Sequence, residues 1–465
     1  MGRRARAEGS MMRQVNRETD RTARVRGIVR RNGAFIGHAV ADVISISGAV
    51  GLGQLLAFMA APLLTRLYSP ESLGHFALLN ALVNILLPLV VLRLNMALPL
   101  PQQDAVAREL LVLCLAVVAV SVPTLTLLGT LAQPVLAGWM DVSAADVWLL
   151  AAALTVTGLH ETALSWLVRH RAFAQVAGVR FVTLLGVAGC QTAFGLLHPH
   201  ASSLLLGYAA GYALGFLRGL WSFRRDVLPG FRGVTLDRLR RLAVEYYRFP
   251  LISTPSSMVS AVSSQIPSLV LPSLYGLAVT GQWSLAQRVL WQPASLVGQA
   301  VNHVFWGNAA RLQTEDPKRL WQLFLCLNAG LFALMTPGLV LVWFGGELFG
   351  LVFGANWEQA GTFAGVILLS HVVGLGAHGT ESLHIYRLNH WMAGWEAARL
   401  LLVTGALAAA WRLELSALGC VAGLTLAQVV ANVGLFTLNA VAIRRIRARA
   451  EPAGARTAPQ PSPTR

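Results

Sequence analysis

The stretch LLTRLYSPESLGHFALLNALVNILLPLVVLRLNMALPLP (63–101) decides what kind of molecule this is. Between Phe76 and Leu92 it carries no charge, and its only strongly polar side chains are the amides of Asn80 and Asn84. About 20 apolar residues in a helix span the hydrocarbon of a bilayer. In that solvent the backbone must satisfy its own hydrogen bonds, so only helices and closed barrels cross it. The run is continuous rather than alternating, which selects a helix over a barrel strand.

Runs of this kind recur along the chain. Of 465 residues, 55% are apolar and 12% charged, where a water-facing domain carries about 25% charged residues. Most of the outer surface must therefore face lipid. The net charge of +16 raises nucleic acid as a partner. Its distribution argues against that: the positive residues sit between the apolar runs and in both tails, as in a membrane protein anchored on its cytoplasmic side. Lys318 is the one lysine among many arginines. Cys114, Cys190, Cys326 and Cys420 fall in apolar runs without metal-ligand spacing and read as packing residues. Nothing in the pattern calls for a cofactor or metal.

Spans are expected at 42–64, 74–98, 109–131, 146–167, 174–197 and 201–222, then at 249–273, 283–306, 320–344, 359–379, 390–411 and 415–442. The even-numbered loops hold Arg108, then Arg169 and Arg171, then eight arginines from Arg218 to Arg248, then Arg311, Lys318 and Arg319, then Arg387. The odd-numbered loops hold Arg66 and Arg412 beside acids such as Asp141, Glu347 and Glu358. By the positive-inside rule, both termini and the even loops are cytoplasmic. The reading is an all-α integral membrane protein of about twelve transmembrane helices in the plasma membrane. It divides into a basic N-terminal tail (1–41), a six-helix half (42–222), a cytoplasmic linker (223–248), a second six-helix half (249–443) and a basic, Pro-rich tail (444–465) expected to be disordered. The first 33 residues have no apolar segment and are expected to hold no cleavable signal peptide; Met11 and Met12 leave a later start open. Within the linker, Leu236, Leu239, Leu242 and Val244 recur among arginines, which fits either a short amphipathic helix on the inner leaflet or a plain basic anchor.

An internal repeat supports the division. LTRLYSPESLGHFALLNAL (64–82) and LPSLYGLAVTGQWSLAQRVL (271–290) pair Leu67-Tyr68 with Leu274-Tyr275, Gly74 with Gly281, Phe76 with Trp283 and Asn80 with Gln287, at a constant offset of 207. Six spans separate the copies, so the halves share one orientation and are related by an axis along the membrane normal. Transporters of such design hold their substrate path between the halves. The two glycines are expected to start spans two and eight after a tight turn.

Charges at bilayer depth are costly and are functional candidates by default. Here they are Asp42, Arg93, His160, Glu161, Arg180, Arg288, His303, Glu396 and Arg399, with Arg66 at the outer end of span one. Arg93 and Arg288 lie on the second helix of each half and are expected to face one central cavity, with the plainer reading of snorkelling arginines that anchor helix ends open for both. A guanidinium fork matches phosphate oxygens. Arg66, Arg180 and Arg399 are further substrate-binding candidates, against the plainer reading that Arg66 and Arg180 snorkel. Glu161, Glu396 and Asp42 are the ion-coupling candidates. Against these stand an Asp42 helix cap, a Glu161 paired with Arg169 or a helix neighbour, and a Glu396–Arg399 pair that neutralises itself at i, i+3. His371 and His378 share a face without a third ligand. No phosphate-binding glycine-rich loop, Ser-His-Asp set or paired carboxylates in a water-filled loop appear, so the chain is not read as an enzyme.

The segment 63–101 also resembles the N-terminal signature of Wzx-type oligosaccharide flippases, in the polysaccharide transporter branch of the superfamily that includes the multidrug (MATE-like) exporters. The matching residues are Arg66-Leu67-Tyr68, Ser69-Pro70-Glu71, Gly74-His75-Phe76, Arg93, and Ala97-Leu98-Pro99-Leu100-Pro101. In WSLAQRVLWQPASLVGQAVNHVFWGNAA (283–310), Gln287-Arg288, Pro293 and Phe305 match as well, while Leu94-Asn95-Met96 departs from the family's aromatic and acid. The resemblance implies two pseudo-symmetric six-helix bundles and alternating access. It implies translocation of undecaprenyl-pyrophosphate-linked oligosaccharide across the inner membrane for O-antigen or exopolysaccharide. It also implies coupling to H+ or Na+, with polysaccharide polymerase machinery and membrane lipids as partners. The alternative is a multidrug or cation antiporter of the related branch, which is expected to place acids in its cavity. Here intramembrane arginines outnumber acids.

Overall fold

The computed structural model describes residues 51–454 apart from Ala57, 228–233 and Arg387. The tails' outer portions, the start of span one and the candidate Asp42 lie outside the described residues. Among the described residues there is no strand. The helices are α1 (Ala61–Leu67, closing an apolar segment Gly51–Leu67), α2 (Pro70–Val91), α3 (Asp104–Met140), α4 (Ala144–Arg169), α5 (Phe173–Leu197), α6 (Ala201–Val227) and the short α7 (Leu236–Glu245). The run Thr254–Glu315 breaks at Gly276 into α8 (254–275) and α9 (277–315). Then follow α10 (Pro317–Met335), α11 (Val340–Phe353), α12 (Glu358–Gly379), α13 (Asn389–Arg412) and α14 (Ala417–Gly454).

Nine helical segments among the described residues are long and apolar enough to cross a membrane. One of them, Phe249–Glu315, holds both α8 and α9. Gly51–Leu67 and α6 occupy the positions expected for spans one and six. The chain is a multi-pass, all-α membrane protein. Glycine and tyrosine make α6 less apolar than its neighbours. Gly207, Gly211 and Gly215 stand at i, i+4 and i+8 and lie directly against Gln191, Val187 and Thr183 of α5. In lipid, small residues let helix backbones approach where no hydrophobic force draws them together.

Local signals explain the helix starts. Ser69 caps α2 by accepting from the Ser72 amide at 3.3 Å, with Pro70 at the first helical position. Ser143 and Asp146 form a reciprocal capping box on α4. Gly276 sits at φ 83°, ψ 171°, a region costly for any residue with a Cβ. Thus α2 starts at Pro70 and α9 at Leu277, which are 207 residues apart. The repeat glycines do not start these helices. They lie one turn inside, where α2 and α9 touch.

That touch is reciprocal. A Cβ on Gly74 would fall 1.8 Å from the Leu277 carbonyl oxygen, and one on Gly281 would fall 1.9 Å from that of Pro70. The contact has the form of a two-fold, each glycine meeting the repeat partner of the other's neighbour. The repeat tyrosines behave alike: Tyr68 donates to the Gln191 carbonyl at 2.7 Å and Tyr275 to that of Leu415 at 2.9 Å. Burial pushes the Tyr68 phenol up to about 12, so it stays a donor across physiological pH. The Trp357 indole, fully buried, donates to the Thr65 carbonyl at 2.9 Å and ties the start of α12 to the end of α1.

Other boundaries moved. α2 ends at Val91, not near residue 98. Span nine runs as Pro317–Phe353 with a short 3-10 turn at Thr336–Leu339, so Glu347 lies in a helix. Helix α14 continues past Arg444 to Gly454, with Arg444 and Arg445 lying over the Trp321 and Trp391 rings at 4.8 and 4.9 Å. The linker does form a helix, α7. Its Leu242 is buried and its Arg238 pairs with Glu109 of α3 at 2.6 Å, while Leu236 and Val244 stay exposed.

Candidate functional site

The α2 helix ends abruptly. Leu92 and Arg93 both take left-handed backbone conformations, with φ 46° and 53°, and a 3-10 turn over Leu94–Ala97 follows. The break turns the chain away from the helix axis and leaves Arg93 beside a cavity of about 500 Å³. Asn84, Leu87, Pro88 and Val91 of α2 line one wall, with Arg93 and Asn95 below them. Glu161 of α4 supplies an acid. The opposite wall is the start of α8, where Ser256, Ser257, Ser260, Ala261 and Ser264 share a face. Arg93 spans the gap by donating from Nε to Ser257 Oγ at 2.7 Å.

Beside Glu161, the His160 ring can be assigned a tautomer. Thr183 donates its hydroxyl to the Val179 carbonyl at 2.9 Å, so its oxygen accepts from His160 Nε2, also at 2.9 Å. In the neutral ring Nδ1 is then an acceptor. It is buried without a hydrogen-bond partner and lies 3.8 Å from Glu161 Oε1. The Glu161 side chain is 40% exposed. A proton arriving here finds a carboxylate and a bare imidazole nitrogen side by side. Glu161 does not pair with Arg169, which is held instead by Asp104 and by the Leu98 and Pro101 carbonyls.

The other candidates among the described residues do not line this cavity. Arg288 of α9 is half-buried, with Val289 and Leu290 packed into the apolar core beside it. It is not among the residues lining the Arg93 cavity, so the expectation of one shared cavity does not describe this conformation. Among the described residues Arg288 makes no hydrogen bond or ion pair. One turn on, the amide oxygen of Gln292 is buried without a partner. Arg399 pairs with Glu396 at 2.9 Å, touches Ser263 at 3.5 Å and lies 5.3 Å over the Trp395 ring. Arg180 and Arg66 are exposed, and Arg66 sits in the last turn of α1, where a cation suits the helix dipole. His371 and His378 form no metal cluster among the described residues. Cys114 and Cys420 are buried, Cys190 is half-buried and Cys326 is exposed.

Sequence reasoning missed the serine wall. Its signal was legible in STPSSMVSAVSSQ (253–265), where Ser256, Ser260 and Ser264 recur every four residues. Serines in an apolar run draw less notice than charges, although a row of hydroxyls on one helix face is a polar surface.

The family described as polysaccharide biosynthesis protein matches residues 63–361, from the end of α1 into α12. The chain belongs to that family. The quoted signature 63–101 and the cavity lie inside the matched stretch. A curated relative, the succinoglycan biosynthesis transport protein ExoT of Rhizobium meliloti (strain 1021), is 26% identical over 358 residues. The match takes in 71% of this chain and 64% of ExoT, less than two thirds of that relative's length. Solved structures share the fold at low identity. The lipid II flippase MurJ in an inward closed conformation superposes with a TM-score of 0.65 at 13% identity, over 87% of this chain and 90% of MurJ. A multidrug resistance MATE family transporter in its inward-facing conformation gives 0.55 at 14%, over 88% of this chain and 96% of that one. A transporter of the same superfamily from Pyrococcus furiosus Vc1 gives 0.53 at 15%, over 87% and 96%.

Proposed function

We propose that this family member is a flippase. It moves polyprenyl-pyrophosphate-linked oligosaccharide from the inner to the outer leaflet of the plasma membrane, for assembly of a surface polysaccharide. Its termini are cytoplasmic. The observation that carries the reading is the Arg93 cavity. It joins a cation, two amides and a wall of serine hydroxyls in the membrane interior, while Arg288, outside this cavity, stands in apolar surroundings without a partner among the described residues. An uncompensated arginine at bilayer depth costs roughly 3 kcal/mol or more, so its retention calls for an anion that visits it. Pyrophosphate suits the guanidinium forks, sugar hydroxyls suit serines and asparagines, and the polyprenyl tail stays in lipid.

The place where the halves meet supports an alternating-access reading. Under the positive-inside orientation, the Gly74 and Gly281 contact closes the outer end, and the cavity lies toward the inner end. Substrate enters from the cytoplasmic leaflet, and the glycine contact parts to release it. Glu161, with His160, is the coupling site for a proton. Glu396 is occupied by Arg399 and is the weaker candidate. The multidrug reading is less favoured because the cavity's acid faces Arg93 rather than standing alone to bind a cation.

The test is complementation in a strain lacking the gene. Arg93→Ala and Arg288→Ala should each lower surface polysaccharide about tenfold or more, the loss expected when a charge-assisted contact to substrate is removed, with insertion unchanged by immunoblot. Normal polysaccharide from both variants would overturn the reading, and restored drug tolerance in its place would favour the exporter.

A further inference from the structure

The break after α2 needs a support of its own. Two consecutive non-glycine residues in the left-handed region, Leu92 and Arg93, are uphill on sterics alone, and such conformations persist only where surrounding contacts over-determine them. The contacts come from one face of α4. Glu161, Ser165 and Arg169 stand at i, i+4 and i+8 on that helix. Glu161 lines the cavity beside Arg93. Ser165 Oγ accepts from the Asn95 amide at 3.2 Å. Arg169 donates from Nη1 to the Leu98 and Pro101 carbonyls, at 3.2 and 2.5 Å, and from Nη2 to Asp104 Oδ1 at 2.8 Å. Its side chain is 9% exposed. The segment from the break to the start of α3 is thus pinned at two heights along one helix face, by Ser165 and by Arg169.

We infer that Arg169 is a positioning residue. Its fork holds the turn Leu98–Asp104, and through that turn it keeps Leu92 and Arg93 in the left-handed bend that aims Arg93 at the substrate cavity. A planar guanidinium is required, because one group must serve two carbonyls and a carboxylate at once; a lysine offers a point charge without the fork. This inference rests on the proposed role of Arg93 in holding a pyrophosphate.

The experiment uses the full chain in lipid nanodiscs, with a fluorescent short-chain polyprenyl pyrophosphate as the probe and its Kd as the readout. Arg93→Ala and Arg169→Ala should each weaken binding about tenfold. The double variant should bind no worse than Arg93→Ala alone, because Arg169 acts only through Arg93. Leu92→Gly placed in the Arg169→Ala background should restore binding to within about threefold, since glycine takes the bend without support. Arg169→Lys should behave like Arg169→Ala. Additive losses, or no rescue by Leu92→Gly, would assign Arg169 a merely structural role and overturn the inference. If Arg169→Ala fails to insert, Ser165→Ala carries the same test with an expected loss of about threefold, again abolished in the Arg93→Ala background. Arg93→Ala binding as well as wild type would instead sink the function proposed for the cavity, a result separate from any outcome at Arg169.

Discussion

Glu161 and His160 are neighbours in sequence, yet their relation is set by a residue 23 positions on from His160. Thr183 claims the Nε2 hydrogen and leaves Nδ1 bare toward the carboxylate. A proton shared there would change the charge beside Arg93 without any chain movement. Glu161→Gln should therefore keep probe binding within about twofold while removing the response to a proton gradient; each tenfold in rate corresponds to about 1.4 kcal/mol in the activation barrier. Flipping rates in proteoliposomes, with and without an imposed pH gradient, check this. A variant that still speeds up under the gradient as wild type does would clear Glu161 of coupling. Both candidates were visible as intramembrane charges. The tautomer was not, because it depends on a hydrogen bond between α4 and α5.

At the level of elements, the α5–α6 seam shows what glycine contributes. A Cβ on Gly211 would fall 2.3 Å from the Val187 amide nitrogen, whereas one on Gly189 would meet nothing within 4 Å. Gly211→Ala should destabilise the protein by about 1–3 kcal/mol through forced separation of the helices. Gly189→Ala should be neutral or stabilising by up to about 1 kcal/mol through helix propensity. Thermal unfolding in detergent distinguishes them, and equal behaviour of the two would refute the seam. The spacing Gly207, Gly211, Gly215 was open to reading as a packing stripe, but nothing local in the chain says which helix it meets. The serine face of α8 is the same case: its period was legible, its partner Arg93 was not.

For the whole molecule, the reciprocal glycine contact is the point at which the two halves must separate. Adding a methyl at either position collides with a backbone oxygen at under 2 Å, which only movement of α2 against α9 relieves. Gly74→Ala and Gly281→Ala should therefore act alike and favour the state open to the outside. A cysteine at Ser260, exposed on the cavity wall, reports the state. Labelling by a membrane-impermeant maleimide should fall about threefold from the cytoplasmic side and rise from the outer side in both variants, a shift of about 0.7 kcal/mol. Unchanged labelling from both sides would mean that the contact is not a gate. The Trp357 bond to Thr65 closes the same end, so Trp357→Phe should act in the same direction more weakly.

The chain by itself determined its solvent, the places where helices cross it, and the kinship of Leu67-Tyr68 through Gly74 with Leu274-Tyr275 through Gly281. Bilayer thickness and loop charge are one-dimensional constraints, so they are written directly along the sequence. Only the tertiary structure decided which charges have partners. Arg399 and Glu396 are close in sequence, and their pairing at 2.9 Å was within reach of helix spacing. Arg93 meets a serine 164 residues away, Arg169 leaves Glu161 for carbonyls 68 and 71 residues upstream, and Arg288 stands without a partner among the described residues. Those outcomes depend on how α2, α4, α8 and α9 pack, and packing between distant helices is chosen by the fit of whole surfaces, which no local pattern records.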